Sequence, residues 1–67
     1  MMMRLTIETE REDDGRWVAE VPQLPGAMSY GATVEEAMRA VRALALEILA
    51  GRLRAGESID SIQFVAA

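Results

Sequence analysis

Residues 21–37 read VPQLPGAMSYGATVEEA and contain both prolines, two of the five glycines and a complete helix-start signal. Pro25-Gly26 suits the central pair of a type II turn, because proline presets φ at about −65° for the first position and glycine accepts positive φ at the second. The chain is expected to leave one extended segment after Pro22 and Leu24, turn, and run extended again through Met28 to Tyr30. In Gly31-Ala32-Thr33-Val34-Glu35-Glu36 the Thr33 hydroxyl can accept from the Glu36 amide while the Glu36 carboxylate reaches back to the Thr33 amide. That capping box predicts a helix from Val34, and the glutamates of its first turn favour the positive end of the helix dipole.

Outward from this stretch, Met3 to Thr9 alternates, with Met3, Leu5 and Ile7 on one side and Arg4, Thr6 and Glu8 on the other, the pattern of a half-buried strand. Glu10 to Gly15 is a charged loop whose Asp14-Gly15 ending signals a hairpin. A second strand follows over 16–21, with Trp17, Ala19 and Val21 on one face, and Pro22 removes a ladder donor where it should stop. The third strand, 27–30, is short. The helix is expected to run to about Ala55, with Gly56 closing it in the left-handed conformation. Gly51 weakens it by about 1 kcal/mol relative to alanine, so a break there is the alternative. The tail Ile59 to Ala67 alternates again, with Ile62 and Phe64 on one face, and reads as a fourth strand. The order β-β-β-α-β predicts an α+β fold in which one helix covers one face of a small, mainly antiparallel sheet.

Along the helix, Val34, Ala37, Met38, Val41, Leu44, Ala45 and Ile48 fall in one band, the face for the sheet. Leu46, Leu49 and Leu53 lie beyond it, toward the side that Glu35, Arg39 and Arg42 occupy earlier. Either the helix ends near Gly51 and those leucines fold back, or they pack against another chain. The second reading is preferred, because exposed apolar patches mark interaction sites. It makes Leu46, Leu49 and Leu53, rimmed by Arg39 and Arg42, a candidate protein interface.

At 67 residues there is room for one domain, and a chain so short buries only about 60% of the surface its unfolded form exposes. With no cysteine and no histidine, neither a disulfide nor a common structural zinc site can staple the fold, which leaves association with another chain, most simply as a homodimer. No stretch approaches a membrane span and the leading methionines run directly into Arg4, so a cytoplasmic protein with no membrane contact is expected. The formal charge of −4 argues against a nucleic-acid surface and suits a basic partner, though it also serves solubility.

Taken together, a tryptophan strand after Asp14-Gly15, then V-P-x-L-P-G (Val21 to Gly26), a short strand, G-x-T-x-E-E-A (Gly31 to Ala37) and an amphipathic helix resemble the N-terminal domain of HicB antitoxins. The matched stretch runs from Asp14 to about Gly56. The resemblance implies a β-β-β-α-β unit likened to a partial RNase H fold, and a protein that neutralises HicA, a small basic ribonuclease that cleaves messenger RNA. Many full-length relatives carry a C-terminal DNA-binding domain; residues 1–67 end after the fourth strand and look closest to stand-alone members, so DNA binding is not expected.

Catalysis finds little footing. Two-metal hydrolysis requires several carboxylates converging on ions about 4 Å apart. Here the acids of Glu8 to Asp14 read as solvation and edge protection, Glu35 and Glu36 as capping, and Glu20 stands by itself in its strand. Ser29, Ser58 and Ser61 have no histidine to activate them, and glycine-rich nucleotide-binding patterns are absent. No enzyme, metal or cofactor is expected. Two functions remain: an antitoxin-type protein that occludes a basic ribonuclease, and a homo-oligomeric module of the same fold with no toxin.

Overall fold

The computed structural model describes residues 2–67; Met1 lies outside the described residues. The elements are β1 (Met2–Arg11), β2 (Trp17–Glu20), β3 (Met28–Gly31), α1 (Val34–Arg54) and β4 (Ser61–Ala66). They build an α+β fold with one helix on a four-stranded sheet of order β3-β2-β1-β4. β1 with β2 and β2 with β3 are antiparallel, while β4 lies parallel to β1, so the sheet is mixed. A parallel return from β3 to β4 needs a long crossover, and α1 provides it.

β1 runs farther than its apolar alternation, to Arg11, because the hairpin turn is tighter than the charged loop suggested. The Gly15 amide donates to the Glu12 carbonyl (3.0 Å) and the Glu12 amide to the Arg16 carbonyl (2.7 Å), leaving only Asp13, Asp14 and Gly15 between the bonded ends. Leu5, Ile7, Ala19 and Val21 point to the helix side and are buried, as the alternation required. Between β2 and β3 the chain is more compact than a simple turn. The Val21 amide donates to the Ala27 carbonyl, the Leu24 amide to the Val21 carbonyl, and the Ala27 amide to the Leu24 carbonyl. Within that knot Pro22 opens the first turn, Gly26 takes φ 89° in the second, and Leu24 drops into the core. Gln23 extends the same device: its side-chain carbonyl accepts from the Thr6 amide (3.3 Å), satisfying an edge of β1 that β2 stops short of.

α1 begins where expected. Thr33 Oγ1 accepts from the Glu36 amide (3.1 Å), but the Glu36 carboxylate takes the Ala32 amide (3.0 Å) instead of that of Thr33, one residue further back. The helix is continuous through Gly51, and Gly56 at φ 101° closes it: its amide donates to the Leu53 carbonyl and that of Glu57 to the Arg52 carbonyl, a Schellman motif.

The buried helical residues are Ala37, Val41, Ala45 and Leu49. Leu49 is 1% exposed, which corrects its assignment to an outward leucine ridge. The four form a single i, i+4 row, and each step of four residues turns about 40° around the axis. A helix packing along that ridge on a twisted sheet buries a winding stripe instead of a straight one, and its far end takes in Leu49. Small side chains in the row bring the first turn close to β3: a Cβ on Gly31 would stand 2.5 Å from the Ala37 nitrogen. Met3, Trp17, Met38, Ile48, Ile59, Ile62 and Phe64 flank this core half-buried.

The molecule is elongated, 40 × 19 × 16 Å. Its radius of gyration is 12.4 Å, against about 10.9 Å for a compact chain of this length.

Candidate functional site

α1 covers one face of the sheet and leaves the other open. Strand alternation places Glu8 and Glu10 of β1, Val18 and Glu20 of β2, and Met28 and Tyr30 of β3 on that open face. The register arranges them in two cross-strand rows, Glu8–Glu20–Met28 and Glu10–Val18–Tyr30. Met28 and Tyr30 are each nearly half exposed. Together with Glu12 the rows line an open depression of about 300 Å³, carboxylate on its β1 side and apolar on its β3 side, with Glu20 and Val18 between.

Two features give this surface a charge problem. Glu8 and Glu20 are directly paired across β1 and β2, and like charges so placed repel. Among the described residues no cation pairs with Glu8, Glu10, Glu12 or Glu20. Arg16, which reaches this face at Tyr30, is committed elsewhere: its guanidinium donates through Nε to Asp14 Oδ2 (2.8 Å) and stacks over the Tyr30 ring, 4.6 Å from its centroid. The Arg16 main-chain amide, first, and its side chain then hold the Asp14 carboxyl below its ordinary pKa.

The second candidate surface is on α1. Leu46 and Leu53 are each 46% exposed, and helical geometry places them on one flank with exposed Arg39 and half-buried Arg42. Leu49 belongs to the core, so the ridge is narrower than the sequence suggested. Its rim is cationic; Arg52 adds a long contact, 3.8 Å, to Glu57. The remaining motif residues, Pro22, Leu24, Pro25, Gly26, Gly31, Thr33 and Glu36, build the turns and the helix start and line neither surface.

The acidic face escaped the sequence reading because its glutamates come from two separate segments, each explicable as solvation. Only the register, which sets Glu8 against Glu20, brings them together. The signal available was the polar side of β1, Glu8 and Glu10, in phase with a polar side of β2 holding Glu20. Among the described residues no group of three or more carboxylates is placed to hold a metal ion, and no helix is long and apolar enough to cross a membrane.

Compared with family models, curated proteins and solved structures, the chain matches none. The likeness to HicB antitoxins therefore stands on the motifs between Asp14 and Gly56.

Proposed function

We propose that the chain is an antitoxin-type binding module that takes up a small basic ribonuclease of the HicA kind on the open face of its sheet. The observation that carries this reading is the unrelieved pairing of Glu8 with Glu20 beside half-buried Val18 and exposed Met28 and Tyr30. A lysine or arginine set between the two carboxylates turns a repulsion into an attraction, while Met28 and Tyr30 on the β3 side supply apolar contact. The HicB-like motifs supply the class of partner. In this reading the protein binds and does not catalyse, needs no cofactor or metal, does not bind DNA, and works in the cytoplasm.

The charge of the surfaces also favours the open sheet face as the one the ribonuclease meets. The Leu46 and Leu53 flank is rimmed by Arg39 and Arg42, the sign a basic toxin itself carries, so that flank suits a different occupant. Its exposed leucines favour the second reading, a homo-oligomeric module. Calorimetric titration with a small basic ribonuclease of the HicA kind tests the first. Glu8→Gln and Glu20→Gln are each expected to weaken binding about tenfold, roughly 1.4 kcal/mol, while Leu53→Glu leaves it unchanged. Binding indifferent to both glutamates overturns the placement of the site.

A further inference from the structure

The edge strand β4 carries a separate reading, which holds whether or not a ribonuclease is bound. The Ala67 amide donates to the Ile7 carbonyl at 2.9 Å, so Ala67 faces β1 with its backbone. By strand alternation Val65 and Gln63 do the same, and Ile62, Phe64 and Ala66 present their backbone N–H and C=O groups to the open edge. Natural edge strands guard such groups with charge, proline or a bulge. β4, Ser-Ile-Gln-Phe-Val-Ala, has no charged residue and no proline, and its pairing with β1 runs in unbroken register from Ser61 to Ala66.

The layer above β4 is equally unfinished. α1 lies chiefly over β3 and β2, and Ile59, Ile62, Phe64 and Met3 are only half-buried beside the core. β3, α1 and β4 form a parallel crossover. In the right-handed form that about 98% of such units take, the helix flank bearing Leu46 and Leu53 faces toward the β4 side.

We infer that two copies of this chain pair through β4, antiparallel and centred on Phe64, into one eight-stranded sheet. The two-fold axis stands normal to the sheet, so both helices lie on the same face. Phe64 then opposes Phe64 of the second copy, and Ile62 opposes Ala66; these are the residues with free backbone groups, so each pair exchanges two hydrogen bonds. The Leu46 and Leu53 flanks look toward the seam from above β2 and β3, set back from it on either side. The arrangement is self-complementary, as a two-fold interface must be. Charge favours it as well: each copy carries −4, and this edge brings together strands without a single acid while the glutamate-lined faces stay side by side and open to solvent. It also turns an elongated half into a broader, more compact whole.

Sedimentation equilibrium at micromolar concentration is expected to give twice the 7.4 kDa of one chain. Ala66→Pro deletes an outward donor at the end of β4 without touching the bonds to β1, and is expected to sediment as a single chain with an unchanged helical circular dichroism spectrum. Independently, Gln63→Cys with Val65→Cys places cysteines in non-hydrogen-bonded cross-seam pairs, where Cα atoms stand about 4.5 Å apart and disulfides fit. In a protein with no native cysteine, oxidation should then link two chains covalently. A wild-type monomer, a dimer unaffected by a folded Ala66→Pro variant, or failure of the cysteine pair to cross-link would each overturn the arrangement.

Discussion

Gly31→Ala tests the packing of the helix start, and the structure sets its magnitude. Gly31 has an ordinary backbone conformation, so the residue is demanded by space alone. A Cβ there would lie 2.5 Å from the Ala37 nitrogen, 2.9 Å from Glu36 Cβ and 3.0 Å from the Glu36 carbonyl carbon. Two of those atoms are helix backbone, and the Ala37 amide is itself held by the Thr33 carbonyl at 3.1 Å. Relief requires the first turn to lift off β3, which loosens both that bond and the Thr33 cap. Overpacking of this kind costs about 1–3 kcal/mol, and with no flexible side chain to yield, about 2–3 kcal/mol is expected. Set against a total of about 3–10 kcal/mol for a domain of this size, that is a large fraction. Urea unfolding followed by tryptophan fluorescence is the assay, since Trp17 is the direct cross-strand partner of Gly31. Gly51→Ala serves as the control: a Cβ meets nothing within 4 Å there, and removal of a mid-helix glycine should add roughly 0.5–1 kcal/mol. A Gly31→Ala variant within about 0.5 kcal/mol of wild type, the range of an ordinary surface substitution, would refute the close approach.

Three further outcomes follow from particular contacts. Leu49→Ala should cost about 2–5 kcal/mol by chemical denaturation, whereas Leu46→Ala and Leu53→Ala, measured on dissociated chains, should each cost about 1 kcal/mol or less; equal effects would contradict the winding stripe. Glu20→Gln should stabilise the free protein by about 0.2–1 kcal/mol in thermal melts by ending the repulsion with Glu8, and a destabilised variant would show that the pair is not in contact. Asp14, its pKa lowered in the folded chain, lends stability above the pKa of a free aspartate, about 3.9, that is lost as the pH falls through the folded value; the Arg16 amide resonance should titrate with a midpoint below that figure, and a midpoint at or above it would deny the hydrogen bond.

Most of the backbone was legible because local chemistry dictated it. Thr33 and Glu36 start the helix, Gly56 ends it, Pro25-Gly26 makes the turn, and the alternation of Leu5, Ile7, Ala19 and Val21 sets the buried face. What was not legible depended on how elements meet. Leu49 falls on the edge of any straight band, and only the crossing of a twisted sheet decides that it is inside. The capping carboxylate of Glu36 reached Ala32 because the chain entering the helix turns there, a detail no spacing rule contains. The acidic face is the clearest case: residues twelve apart in sequence, Glu8 and Glu20, become neighbours only through the register of β1 and β2. The parallel placement of β4, which leaves its outer edge bare, is likewise a property of topology and not of the alternating tail.

The central claim, that the open sheet face receives a basic ribonuclease and silences it, is tested most directly by titrating this protein into a small basic ribonuclease of the HicA kind while following RNA cleavage. Cleavage should cease at stoichiometric equivalence with the wild-type chain and persist when Glu8→Lys and Glu20→Lys are combined, with Leu53→Glu inhibiting as wild type does. Cleavage that continues at saturating wild-type protein, or that the double charge reversal suppresses equally well, would contradict the account.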